Sequence, residues 1–189
     1  MNRLACAPLL SLLSVLPACA DAGPDAAVIA AATARAEAAA QSLTSALVGE
    51  LTKALQEGDA ASAVDVCGEV AQSITMRNGG EDGFRVARTA LRVRNPVTAP
   101  AAHERAVLER WSREAESQDW SEVVATGGGH ELRWMRPIRL LPMCTQCHGT
   151  DDEILPATRA AIRARYPDDQ AVGFAPGDLR GAITVRVPL

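Results

Sequence analysis

The sequence predicts an α+β domain in which helices flank a small antiparallel sheet. Three observations carry that reading. Helical periodicity fills the first part of the chain, where Leu43, Leu47, Leu51 and Leu55 fall at successive i+4 steps. Later segments alternate apolar and polar residues, and the resulting order of helix, helix, strand, helix, hairpin, helix, strand points to an α+β arrangement. Finally, 189 residues with 48% hydrophobic and 22% charged content suit one globular domain, and argue against wholesale disorder or a multi-span membrane protein.

Taken in order, residues 1–18 read as a signal peptide. Arg3 precedes an apolar run over 4–16, which is shorter than the ~20 residues a membrane-spanning helix needs. Leu16-Pro17-Ala18-Cys19 resembles a lipobox, in which Cys19 is lipidated at the mature N-terminus; unlipidated cleavage after Ala18, Ala20 or Ala22 is the other reading. Either way the mature chain is expected in an oxidising compartment, on the periplasmic side or cell envelope. The lipidated form would associate with a membrane through Cys19.

A single domain is expected over 25–189. Its first helix covers 25–56, an Ala-rich stretch free of Pro and carrying only Gly49. Gly58 ends it, and Asp59 is placed to cap a second helix over 60–77, stopped by Asn78-Gly79-Gly80. Ala63, Val66, Cys67, Val70 and Ile74 share one apolar face of that helix, so Cys67 is expected to point inward. A strand is predicted over 84–93, with Arg88, Ala90 and Arg92 on one face, closed by Asn95-Pro96. The next helix covers 100–117, with Pro100 in its first turn and Val107, Trp111 and Ala115 on a face. Segments 121–126 and 130–136 flank Gly127-Gly128-Gly129 as a hairpin. A short helix over 157–165 and a strand over 181–187, with Ile183, Val185 and Val187 on one side, complete the domain.

The net charge of −4 provides no basic field for a polyanion, so nucleic acid is not an expected partner. All basic residues except Lys53 are arginines, a bias that speaks of recognition only at particular sites. Aromatic side chains make up only 3% of the chain, so large flat core fillers are scarce.

Cys144-Thr145-Gln146-Cys147-His148 is the c-type haem attachment pattern. Two thiols three positions apart suit the two vinyl groups of one haem, and the adjacent imidazole reaches its iron. Two other uses of C-x-x-C fit the context less well. A thioredoxin-like pair belongs at a helix start in a βαβ setting, and zinc needs two further ligands that have no clear spacing here. One covalent haem c is therefore expected, with His148 as an axial ligand.

The second axial position stays open on the residues alone. Of five cysteines, Cys6 leaves with the signal, Cys19 is lipidated or removed, and Cys67 remains beside the attachment pair. Cys67 is either a ligand or a small buried hydrophobe. Met76, Met135, Met143, His103 and His130 are the other candidates; Met143 is too near the attachment site to reach the opposite face easily, and His130 is expected in the hairpin turn. Arg88, Arg92, Arg94 and Arg136 suit the two haem propionates, or are solvated charges with carboxylate neighbours such as Glu104. Gly173, Gly177 and Gly181 either press close to the haem or punctuate the approach to the last strand. Asp168 and Asp169 read as turn and cap residues.

A wider pattern joins these pieces. Residues 88–96 (RTALRVRNP), Ala99-Pro100 with Glu104, Arg136-Pro137-Ile138, the haem motif with Gly149, 166–174 (YPDDQAVGF) and 177–185 (GDLRGAITV) together resemble the Tll-like c-type haem domain family. The resemblance covers nearly all of the mature chain in matching order. It implies a PAS-like sheet with flanking helices and one covalent haem whose second axial ligand is a cysteine on an early helix, here Cys67. The function expected is one-electron transfer by an exported cytochrome-like protein; the alternative is a redox or gas sensor acting through a separate partner. No acid–base pair suggests an enzyme, and the redox partner is not named by the sequence.

Overall fold

The structure is a computed structural model that describes residues 23–77, 83–114 and 118–189, leaving the side chains of 66–72, 76–77 and 114 outside the description. The signal peptide, Cys19 and the stop at Asn78-Gly79-Gly80 lie outside the described residues. Helix α1 (Ala26–Glu57) begins where the Asp25 carboxylate accepts the Ala27 N–H at 2.8 Å. Its buried residues are Ala32, Ala36, Ala40 and Leu43. The leucine stripe is thus only half of its inner face. Small side chains let the first half of the helix lie close against the sheet, and Leu47, Leu51 and Leu55 of the second half border a cavity. Ala36 is fully buried in this close contact. Ala36→Leu is expected to cost about 1–3 kcal/mol in chemical denaturation through overpacking.

Helix α2 (Ala60–Arg77) follows directly. The Asp59 carboxylate accepts from the Ser62 N–H and hydroxyl, both at 2.8 Å, and these bonds hold its pKa below the ordinary value. Strand β1 (Arg85–Thr89) is shorter than the alternation predicted. Beyond Thr89 the chain leaves the sheet for the loop around Gln170: Arg92 Nε donates to the Gln170 carbonyl at 3.1 Å, and the Gln170 N–H donates to the Val93 carbonyl at 2.9 Å. Helix α3 (Ala102–Glu114) starts later than expected, because the Glu104 carboxylate reaches back to the Ala101 N–H at 2.9 Å. Pro100 therefore precedes the helix, and residues 115–117 lie outside the description.

Strands β2 (Trp120–Thr126) and β3 (Gly129–Arg139) pair from Trp120↔Met135 to Thr126↔Gly129, so Gly127-Gly128 forms the turn. His130 lies inside β3 opposite Ala125, one pair beyond the turn where it was expected. A short helix α4 (Thr145–His148), helix α5 (Pro156–Arg165) and strand β4 (Leu179–Pro188) follow. The four strands form an antiparallel sheet in the order β1-β4-β3-β2.

Both faces of this sheet are covered, giving an α+β fold of PAS-like form. Ile183, Val185 and Val187 of β4 pack with Leu132 and Trp134 against the alanines of α1. On the other face, Ala182 and Met135 meet Val107, Leu108 and Trp111 of α3. Among the described residues no helix is long and apolar enough to cross a membrane.

Candidate functional site

A cavity of about 340 Å³ opens between α1, α2 and the end of the sheet, within the ~300–1,000 Å³ range of cofactor sites. Cys144, Gln146, Cys147 and His148 of the pentapeptide 144–148 line it. A 3-10 turn (Pro142–Cys144) leads into α4, with the Cys144 N–H donating to Leu141 at 2.9 Å and the Gly149 N–H donating to Thr145 at 2.8 Å. This unbroken helical turn places Cys144 and Cys147, three residues apart, on one side. Both cysteines are half-buried, and both border the cavity. They rest on separate apolar groups: Cys144 on Leu140, Ala171 and Phe174, and Cys147 beside Val64, Ile154 and Ile162.

His148 borders the same cavity. Its Nδ1 lies 2.6 Å from the Ala171 carbonyl oxygen. A carbonyl can only accept, so Nδ1 carries the proton and Nε2 keeps its lone pair. Burial first, then the neighbouring Arg94 and Arg180 cations, hold the His148 pKa well below the usual value, while the bond to Ala171 acts in the opposite sense. The imidazole is therefore neutral at pH 7, the form that ligates a metal. The loop that positions it bonds directly to the motif: Gly173 N–H donates to Gly149 at 2.6 Å and Phe174 N–H to His148 at 2.9 Å. Gly173 has a φ of +73°, which explains glycine in this close approach. The Phe174 ring meets the His148 ring edge-on, with centroids 6.5 Å apart.

Four arginines stand among the polar residues of the wall, with Glu50 as its carboxylate. Of the four arginines singled out in the sequence, Arg88 and Arg94 border the cavity. Arg92 and Arg136 do not border it. The Arg92 guanidinium sits over the Phe174 ring at 4.2 Å. Arg136 is held bidentately by Asp119 at 2.6–3.2 Å and covers the Trp134 ring at 4.8 Å, which commits it to the start of β2. Two other arginines, Arg139 and Arg180, border the cavity instead. The reason lies in the sheet register. Ile138 pairs with Gly181 but Arg139 pairs with Leu179, so Arg180 is the extra residue of a β-bulge. Strict alternation would put Arg180 on the α3 side with Ala182, and the bulge turns it into the cavity.

Arg180 is a deeply placed cation with too little counter-charge. Burial first, then Arg94, push its pKa down to about 10; Asp169 opposes this, while Arg88 and Arg92 add to it. Nε of Arg180 and Nε of Arg94 are buried without a hydrogen-bond partner among the described residues. A largely apolar cavity bordered by two cysteines, a neutral imidazole and buried guanidinium nitrogens without partners fits a flat, carboxylate-bearing metal macrocycle such as haem.

Of the other candidate ligands, Met143 borders the cavity. Met135 is fully buried on the α3 side of the sheet, and His103 on α3 and His130 beside the hairpin turn are not in the cavity wall. The Met76 side chain is outside the description. Cys67 belongs to α2, four residues after Ala63 and seven before Ile74, both of which border the cavity. Its side chain also lies outside the description. Asp169 forms an ion pair with Arg94, and its Oδ1 accepts the Ala171 N–H, which is more than a turn role. Among the described residues no group of three or more His, Cys, Asp or Glu side chains could hold a bare metal ion.

The chain matches the Tll0287-like family over residues 25–188. Among solved structures it is similar to the crystal structure of the cyanobacterial haem protein Tll0287, at 23% identity and a TM-score of 0.56, over 87% of this chain and 97% of that one. That likeness is one of fold. Among curated proteins none matches.

Proposed function

The chain belongs to the Tll0287-like family, and from that premise we propose that it is an exported c-type cytochrome-like protein that binds one haem covalently. The observation that carries this reading is the convergence of Cys144, Cys147 and a neutral His148 on one largely apolar cavity. In it Cys144 and Cys147 hold the haem by thioethers, His148 provides an axial nitrogen, and Cys67 provides the second axial ligand. Arg180, Arg88 and Arg139 are the cations facing its carboxylates, and Arg92 and Arg136 are engaged elsewhere. A haem so held supplies a one-electron couple, and an anionic thiolate ligand favours its ferric form. The role is carriage of an electron to a separate redox partner, without enzymatic turnover. Residues 1–18 are removed on export, and Cys19 carries a lipid that ties the protein to the cell envelope.

The test is expression of the full chain with a cytochrome c maturation system. Haem is expected to stay with the polypeptide after acid extraction, and Cys144→Ser with Cys147→Ser to abolish that retention. Cys67→Ser is expected to change the ferric optical and spin-resonance spectra, and unchanged spectra would remove Cys67 as ligand. Fully extractable haem overturns the covalent reading. In the same preparation, intact mass of the membrane fraction reads lipidation at Cys19, and peroxide turnover above that of free haem would contradict a non-enzymatic role.

A further inference from the structure

The loop that orients His148 is itself held by a residue from far along the chain. The Ala171 carbonyl, which accepts from His148 Nδ1, also accepts from Arg94 Nη2 at 3.3 Å. The same Nη2 donates to the Cys147 carbonyl at 2.6 Å and pairs with Asp169 Oδ2 at 3.0 Å. Asp169 Oδ1 in turn accepts the Ala171 N–H at 2.8 Å. Both side chains are largely withdrawn from water, at 15% and 7% exposure. One guanidinium nitrogen thus joins the peptide of the attachment motif to the peptide that aims the imidazole.

Resting on the haem reading, we propose that Arg94 is the positioning residue of His148, and that the Arg94–Asp169 pair tunes how strongly Nε2 donates. Two effects act together. A carbonyl with a cation on its second lone pair is a weaker acceptor, so it draws the Nδ1 proton less and the imidazole gains less anionic character. A buried positive charge beside the site also favours the reduced state by Coulomb attraction in a medium of low dielectric. Arg94 raises the potential through both, and Asp169 offsets the second. Removing one partner or the other must therefore move the potential in opposite directions.

Spectroelectrochemical titration of the haem-loaded protein tests this with Arg94→Met, Arg94→Lys and Asp169→Asn. Arg94→Met is expected to favour the oxidised form about tenfold, a downward shift of about 59 mV for one electron. Asp169→Asn is expected to shift it upward, and Arg94→Lys, which keeps the charge on a shorter side chain that does not reach all three acceptors, to fall between wild type and Arg94→Met. A purely structural pair predicts shifts of one sign, or none, and either result overturns the inference. If Arg94→Met does not fold, the upward shift of Asp169→Asn and the downward shift of Arg94→Lys decide it. A wild type without haem has no couple to titrate and overturns the haem reading itself; normal wild-type titration with coincident variants overturns only the role of Arg94.

Discussion

Prepared without haem, the protein is expected to melt on the order of 10 °C below its haem-loaded form, and Arg180→Met is expected to narrow that gap from both sides. The first half follows from the cavity. Leu47, Leu51 and Leu55 of α1 and Val64 of α2 border a space of about 340 Å³ that apolar ligand surface would otherwise fill. With three Trp, one Tyr and two Phe in the chain, few broad side chains remain to close it by collapse. The second half follows from charge. The Arg180 pKa in the fold, about 10, lies below the ordinary arginine value, so the charged form opposes folding at every pH below about 10. That penalty is relieved only as pH rises through 10 and beyond. A carboxylate brought in with the ligand removes it at neutral pH. Arg180→Met should thus stabilise the haem-free protein, by about 1–3 kcal/mol, and lower the melting temperature of the loaded protein. Calorimetry of both forms checks the pair of signs. Equal melting temperatures with and without haem would remove the structural role assigned to the ligand.

Gly181→Ala is expected to destabilise the protein by about 3 kcal/mol, with or without haem, because a methyl group there has no room. A Cβ at Gly181 would run into the Thr89 carbonyl oxygen, which is backbone of β1, and would sit 3.1 Å from the Ala90 Cβ. β1 can yield only by separating from β4 at the pair Thr89↔Ala182. That end of β1 also begins the segment leading to Arg92 and Arg94, so the variant is expected to loosen the loop around Ala171 as well. Urea denaturation reads the stability, and faster hydrogen exchange at the Ala171 and Gly173 amides reads the loop. A Gly181→Ala protein with wild-type stability would show that the strands are not held this closely.

These two residues mark where sequence reading reaches its limit. The first two helices were legible because caps and periodicities are local: the Asp59 cap acts within one turn, as does the leucine repeat of α1. The hairpin was legible from its glycines, and the pentapeptide 144–148 is a local motif by nature. Arg180 was not, since alternation places it beside Ala182 and only the pairing with Arg139 reveals the bulge. The Nδ1 partner of His148 is a backbone carbonyl 23 residues away, a role that any residue type can play and that no side-chain pattern announces. Arg136 shows the same limit from the other direction. Its companion Asp119 lies 17 residues upstream, and an exposed-looking arginine on a strand gives no sign of which carboxylate will claim it. The inner face of α1 was half read, because leucines signal burial more strongly than Ala32, Ala36 and Ala40, which lie closest to the sheet.

The strand order has a consequence for the timing of assembly. β4 is the last of the four strands along the chain, yet it lies inside the sheet between β1 and β3. During synthesis, β1 and the hairpin of β2 and β3 therefore wait as unjoined edges until residues 179–188 arrive. Pairing β1 with β4 closes a loop of most of the domain, which makes this step slow relative to the local helices and the hairpin. Cys144 and Cys147 emerge before that closure. Chemistry that favours an open, unfolded pentapeptide thus has its opportunity built into the order of the strands.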